Sequence, residues 1–429
     1  MFRARSMLLL AVALILGACT TPAPAVLTPV PAATVVAPAA TPAPAAPTAA
    51  ATTAVAATAA PTTSAPAATA VPTTSAPAAT PGRVLTPRVL PTVAPVVLPP
   101  LARILALQSP ALRGEDVRLV QQRLLDLGYT QVGRTDGVYG ANTAAAVRAF
   151  QTLSIINDDG VVGENTWREL GRADAPIYDL HPIVDPLYGM LIGASNNGVW
   201  YDAVNVAPIV AAQQYRLLDA VQTDGASNRP VEIAVAGAAA LLEGEVPCEW
   251  LRNVVIELPA NVTARVAIAA DWSTQPRPVT AVDAAETALV APLTLTLQAL
   301  GLATPTINVT RALRADLDGD GSEETIIAAT YRDAGGDGPA PSAAAGDYSL
   351  IAVLPAGAPV ASVIVSDVVL QPIEFGAPYQ FDLLGLYDLN GDGTLEMVLE
   401  SSYYEGASME VYRVAGIASK RVLTEGCGV

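Results

Sequence analysis

Asp388-Leu-Asn390-Gly-Asp392-Gly-Thr394-Leu-Glu396 decides the reading of the larger part of the chain, and it occurs twice. Its counterpart, Asp316-Leu-Asp318-Gly-Asp320-Gly-Ser322-Glu-Glu324, lies 72 residues upstream. Positions 1, 3 and 5 carry side-chain oxygens, position 6 is glycine, position 7 offers a carbonyl and position 9 is an acid. A hard cation such as calcium needs this order, with several oxygens about one centre and a sharp turn between them. A helix–loop–helix calcium site also wants Glu at position 12, where this chain has Ile327 and Leu399. The flanks, Ile326-Ile327-Ala328-Ala329 and Met397-Val398-Leu399, read as strands. Each loop is therefore expected to join two strands. The expected calcium ligands are Asp316, Asp318, Asp320, Ser322 and Glu324 in one loop, and Asp388, Asn390, Asp392, Thr394 and Glu396 in the other.

Around the loops, strand-like runs dominate: Glu323 to Tyr331, Tyr348 to Leu354, Val360 to Val365, Thr394 to Glu400 and Met409 to Val414. Gly, Pro, Asn and Asp separate them, and one helix is expected over Ala284 to Leu300. Residues 181–429 thus read as mainly β. The loops resemble those of FG-GAP and integrin-type propeller repeats, and Gly193 to Trp200 resembles the first strand of a blade. The resemblance implies a propeller-like domain, with room for roughly four to six blades. With two clear repeats, a β-sandwich carrying calcium hairpins is the alternative.

A different pattern precedes this region. Val117, Val120, Leu124 and Leu127 recur at helical spacing, with Glu115 and Asp116 at the start and Gly128 at the stop. A second helix is expected over Asn142 to Leu153. Asp136-Gly137-Val138-Tyr139-Gly140-Ala141-Asn142-Thr143 returns 23 residues later as Asp159-Gly160-Val161-Val162-Gly163-Glu164-Asn165-Thr166, a turn followed by a helix start in each copy. From Leu112 to Leu170 the sequence resembles the peptidoglycan-binding domain found beside bacterial cell-wall hydrolases. The shared positions include Gly114, Gln121, Leu127-Gly128-Tyr129, Asp136-Gly137, Phe150-Gln151, Asp159-Gly160 and Thr166-Trp167. The resemblance implies a small all-α, three-helix fold over 101–172 and a shallow groove for wall glycan or peptide. Tyr129, Tyr139, Asn142, Arg148 and Gln151, near the turns, are the candidates to line it.

The N-terminus reads as an address. Arg3 and Arg5 precede the apolar run Met7 to Leu16, and Gly17-Ala18-Cys19 follows. Leu16 to Cys19 resembles a bacterial lipobox, which implies a signal peptide over 1–18 and a membrane anchor through lipid on Cys19. Residues 19–100 are mostly Ala, Pro, Thr and Val, and Thr20 to Pro100 holds 18 of the 36 prolines. That composition predicts a disordered tether with polyproline II character.

The formal charge is −17, and residues 173–429 alone carry 11 basic and 32 acidic residues. This excludes a nucleic-acid binder, which needs basic surface. The one histidine, His181, reads as an exposed linker residue remote in sequence from Cys248 and Cys427. It argues against Cys-His or multi-His zinc catalysis. Outside the cytoplasm Cys248 and Cys427 are expected to be bridged. The expected function is a non-catalytic, lipid-anchored envelope protein that binds peptidoglycan and displays a calcium-stabilised β-domain to an unknown protein or glycan. The alternative is a glycosidase-type wall hydrolase using carboxylates of the C-terminal region, with Glu405 the isolated candidate.

Overall fold

The structure, a computed structural model, describes residues 93–429 apart from 211–213, 220, 224–227, 231–232, 236–240, 244–247, 249–250, 255, 257, 259, 334, 336–337, 377 and 429. The expected signal peptide, Cys19 and the tether as far as residue 92 lie outside the described residues.

Three helices form the first layer: α1 (Glu115–Asp126), α2 (Ala141–Leu153) and α3 (Glu164–Leu170). Val117, Val120, Leu124, Val147, Phe150 and Leu170 close their core. Residues 93–100, expected in the tether, lie along these helices instead. Arg123 Nη1 donates to the Ala94 carbonyl at 2.9 Å and Trp167 Nε1 to that of Pro99, also at 2.9 Å.

Among the described residues the rest is mainly β, in three larger antiparallel sheets and a small three-stranded one. The first sheet centres on Leu180–Asp185 paired with Met190–Asn196, and Val199–Asp202 returns along the latter. An outer sheet is formed in order by Thr280–Val282, Val309–Ala315, Glu324–Tyr331, Tyr348–Leu354 and Ser362–Val368. A middle sheet is a four-strand meander of Gln380–Tyr387, Glu396–Tyr403, Gly406–Ala415 and Ala418–Gly428.

Alternation along the strands sets the stacking order, because successive side chains point to opposite faces. Met397, Leu399, Tyr412 and Val414 pack with Ile326, Ala328, Ile351 and Val353 of the outer sheet. Val398, Met409, Val411 and Leu423 pack with Ile183, Met190, Ile192 and Ile268 of the first sheet. The outer sheet's far face, through Ile327, Ala329 and Leu350, is covered by Leu293 and Leu297 of the helix Val290–Ala299. The first sheet's far face joins the core of α1–α3 through Leu180, Val184, Leu191 and Ala194. The chain thus builds the two flanking sheets first, and its last meander fills the space between them. Cys248 and Cys427 form a disulfide, with Cα atoms 5.7 Å apart, that ties the final strand to the part of the chain between the strands Leu241–Glu243 and Arg252–Val254 of the first sheet. Among the described residues the sheets stack in a row and close into no barrel.

His181 corrects an expectation. It is buried in the first strand, where its Nδ1 lies 2.6 Å from the Ala269 carbonyl and its ring meets Trp272 edge to face. The neighbouring Pro182 lends this stretch the look of a linker, yet Pro182 sits in register with Ala194.

A sheet buried on both faces should be sensitive on both. Leu399→Ala, towards the outer sheet, and Leu423→Ala, towards the first, are each expected to cost about 2–5 kcal/mol in denaturant unfolding. A response from only one of them would contradict the stacking.

Candidate functional site

In the helical domain, one device supports both Asp-Gly turns. Gln121 Nε2 donates to Asp136 Oδ1 (3.1 Å), the Val138 carbonyl (3.1 Å) and Thr143 Oγ1 (3.0 Å), while its Oε1 accepts from Gly137 N at 2.8 Å. Gln151 repeats every contact, with Asp159 Oδ1, the Val161 carbonyl, Thr166 Oγ1 and Gly160 N at 2.7–3.1 Å. Each glutamine amide is therefore committed to holding a turn closed. Gly137 and Gly160, both at φ +71°, supply the left-handed backbone these turns need.

This changes the list of groove candidates. Tyr129 and Tyr139 are fully buried, and their hydroxyls donate to the carbonyls of Pro176 (3.1 Å) and Gly160 (2.8 Å). Burial also holds both phenols above the ordinary tyrosine range. Gln151 is 1% exposed. These three are structural, and being polar near a turn reflects the closing of that turn. Asn142 and Arg148 are exposed, and Arg148 Nε donates to the Asp158 carbonyl at 3.0 Å.

With that geometry in place, the comparison with known families is direct. Residues 113–170 match the model of the family described as "Putative peptidoglycan binding domain". Over these residues the chain is similar to a peptidoglycan-binding domain, which supports association with the cell wall. No solved structure matches the chain. Among the described residues no helix is long and apolar enough to cross a membrane.

The two aspartate loops occupy equivalent places, each joining the first and second strands of a four-strand run, Val309 to Val368 and Gln380 to Gly428. The hydrogen bonds their side chains accept from backbone amides correspond one to one. Asp316 Oδ1 and Oδ2 accept from Gly319 N (2.7 Å) and Gly321 N (3.2 Å), as Asp388 does from Gly391 N (2.7 Å) and Gly393 N (3.0 Å). Asp318 and Asp320 take the amides of Asp320 and Ser322, as Asn390 and Asp392 take those of Asp392 and Thr394. Glu324 Oε2 accepts from Leu317 N at 3.1 Å and Glu396 Oε2 from Leu389 N at 2.9 Å. The ninth-position acid thus folds back over the start of each loop.

In the first loop Asp316, Asp318 and Asp320 each bring a carboxylate oxygen within 4.8 Å of the others. The second loop is more enclosed, with Asp388, Asn390 and Glu396 all buried and Asp392 Oδ2 paired with Arg413 at 2.9 Å. Glu396 Oε1 is buried without a hydrogen-bond partner. Burial pushes the Asp388 carboxyl up to about 6 and that of Glu396 well above its usual range, with the Asp392 charge adding to both. Glu324 is raised by burial and by Asp318 and Asp320. Negative charge confined in this way is what a bound cation would offset. Ser322 and Thr394 stand where the chain offers its position-7 carbonyls.

The loops also touch, through Leu395 N donating to the Leu317 carbonyl at 2.8 Å. One segment, 272–277, braces both. Trp272 Nε1 donates to the Asp388 carbonyl at 2.9 Å, and Asp388 N donates to that of Thr274 at 2.7 Å. Arg277 reaches the carbonyls of Asp316 (2.6 Å) and Leu317 (2.8 Å). Nothing in the loop motif identifies this brace. Glu405 is exposed in the turn before Gly406, bonded to the Tyr404 hydroxyl.

Removing the amide clamp should damage stability. Gln151→Ala leaves the Gly160 N–H without its partner and the Val161 carbonyl with Thr166 Oγ1 alone, and a loss of about 1–3 kcal/mol is expected in chemical unfolding. Gln121→Ala should cost a similar amount.

Proposed function

We propose that this chain is a non-catalytic cell-envelope protein. It is exported, carries lipid on Cys19, grips peptidoglycan through residues 113–170 and displays a β region stabilised by calcium. The wall-binding part of this reading rests on the family match. The calcium part rests above all on one observation: two loops far apart in sequence share the same set of hydrogen bonds from backbone amides to side-chain oxygens. The partnerless Oε1 of Glu396 supports it. In the first loop Asp316, Asp318, Asp320 and Glu324 would hold the ion, and in the second Asp388, Asn390, Asp392 and Glu396. Calcium would supply charge compensation and rigidity there. The two meanders that carry the loops are read as blade-like repeats of the propeller-type family the sequence resembles, and the outward surface of the β region as the binding surface for an external protein or glycan.

Chelation is the test. Each site contributes about 2.7 kcal/mol when free calcium is 100 times Kd, so a chelator should lower Tm clearly. Asp318→Ala combined with Asn390→Ala should abolish most of that shift. Identical melting with calcium and with chelator would overturn the metal assignment. A clearing band on a cell-wall zymogram would overturn the non-catalytic one.

A further inference from the structure

Among the described residues, three helices end in the same hydrogen-bonded stop. After α1, Gly128 N donates to the Leu125 carbonyl and Tyr129 N to that of Leu124, at 3.0 and 2.9 Å. After the helix Val290–Ala299, Gly301 and Leu302 make the matching bonds to Gln298 and Leu297, both at 3.0 Å. After α2, Ile155 and Ile156 make them to Thr152 and Gln151, at 3.0 and 3.1 Å. This stop forces one residue into the left-handed region, where glycine carries no steric penalty. Gly128 and Gly301 occupy it at φ +86° and +105°, but the third copy places Ile155 there at φ +55°. A β-branched residue is among the worst suited to that backbone. Ile155 gains no core burial in return, because its side chain is 78% exposed. Local stability would favour glycine, so the isoleucine points to contact with something outside the chain.

Ile155 stands beside a groove of about 580 Å³ between the helical domain and the first sheet. Leu153, Ser154 and Ile155 line one side, and Asn197, Val199 and Tyr201 the other. Two polar atoms of these residues, Ser154 Oγ and Asn197 Oδ1, are shielded from water and have no hydrogen-bond partner. Such atoms are costly unless something completes them. Val199 is 45% exposed, a second open aliphatic group.

We infer that this groove receives the stem peptide of peptidoglycan, so that the β region contributes one wall of the wall-binding surface. The inference rests on the peptidoglycan reading above, and Leu153, Ser154 and Ile155 belong to the matched segment itself. Asn197 Oδ1 accepts and never donates, which suits a peptide N–H. The open walls are aliphatic, which suits methyl-bearing side chains. The Tyr201 ring is 7% exposed and its hydroxyl is committed to the Leu153 carbonyl at 2.8 Å, so it gives a sugar no face to stack on. Arg172, at the edge, is held by Asp174 at 2.6 and 2.8 Å.

Ile155→Gly separates this proposal from a structural role. In the full mature chain it should raise Tm by roughly 1–3 °C, because the strain is relieved. It should also weaken retention on purified peptidoglycan by about fivefold or more. Ser154→Ala should weaken retention with little change in Tm. Soluble muropeptides should compete, and glycan strands stripped of peptide by an amidase should not. If the unsubstituted chain is retained and Ile155→Gly is retained equally, the groove assignment fails while wall binding stands. Equal competition by stripped glycan would overturn the peptide as occupant. If the unsubstituted chain is not retained, both readings fail.

Discussion

The meander of Gln380–Gly428 is packed on both faces, against the first sheet on one side and the outer sheet on the other. An antiparallel sheet usually keeps one face for water and alternates accordingly. Here Met397-Val398-Leu399 places consecutive residues into two different cores. The two flanking sheets meet through this inserted layer, so neither can complete its core before the chain's end is in place. Contacts at such sequence separation favour slow, late assembly. The bridge from Cys248 to Cys427, 179 residues apart, fastens that last piece to the opposite flank.

The same insertion brings the two aspartate loops into contact. They lie 72 residues apart in sequence, yet Leu395 and Leu317 share a backbone hydrogen bond and segment 272–277 braces both. The loops are thus a joint between layers as well as turns within them. Their different burial has an electrostatic consequence: the exposed first loop keeps its charges in water, whereas the enclosed second holds two carboxyls whose charged form burial disfavours. Arg413 relieves Asp392 but leaves Glu396 Oε1 without a partner.

Much of this was legible in the sequence where local chemistry decides structure. The Asp-Gly repeats named the turns of the helical domain, and the position-1 and position-6 residues of the aspartate loops are joined across the turns expected of them. Uninterrupted apolar runs such as Ile326 to Ala329 named strands, though not that both faces were buried. What failed was anything needing tertiary partners. Tyr129, Tyr139 and Gln151 look amphipathic in one dimension, and only the fold shows their polar atoms turned inward onto Pro176, Gly160 and Asp159. His181 beside Pro182 resembles a connector in sequence, and only the pairing of the strand Leu180–Asp185 shows it to be buried. The layer order and the groove at Ile155 join segments that no local pattern relates.

The docking of residues 93–100 has a mechanical meaning. Tension arriving along the chain from upstream of Val93 meets the Ala94–Arg123 and Pro99–Trp167 hydrogen bonds first, and is delivered to α1 and α3. If that domain is held by a wall, the load passes from the incoming chain into the wall through the helices. The layered sheets and their acidic loops hang off this path, so they can keep a fixed geometry while the helices bear the pull.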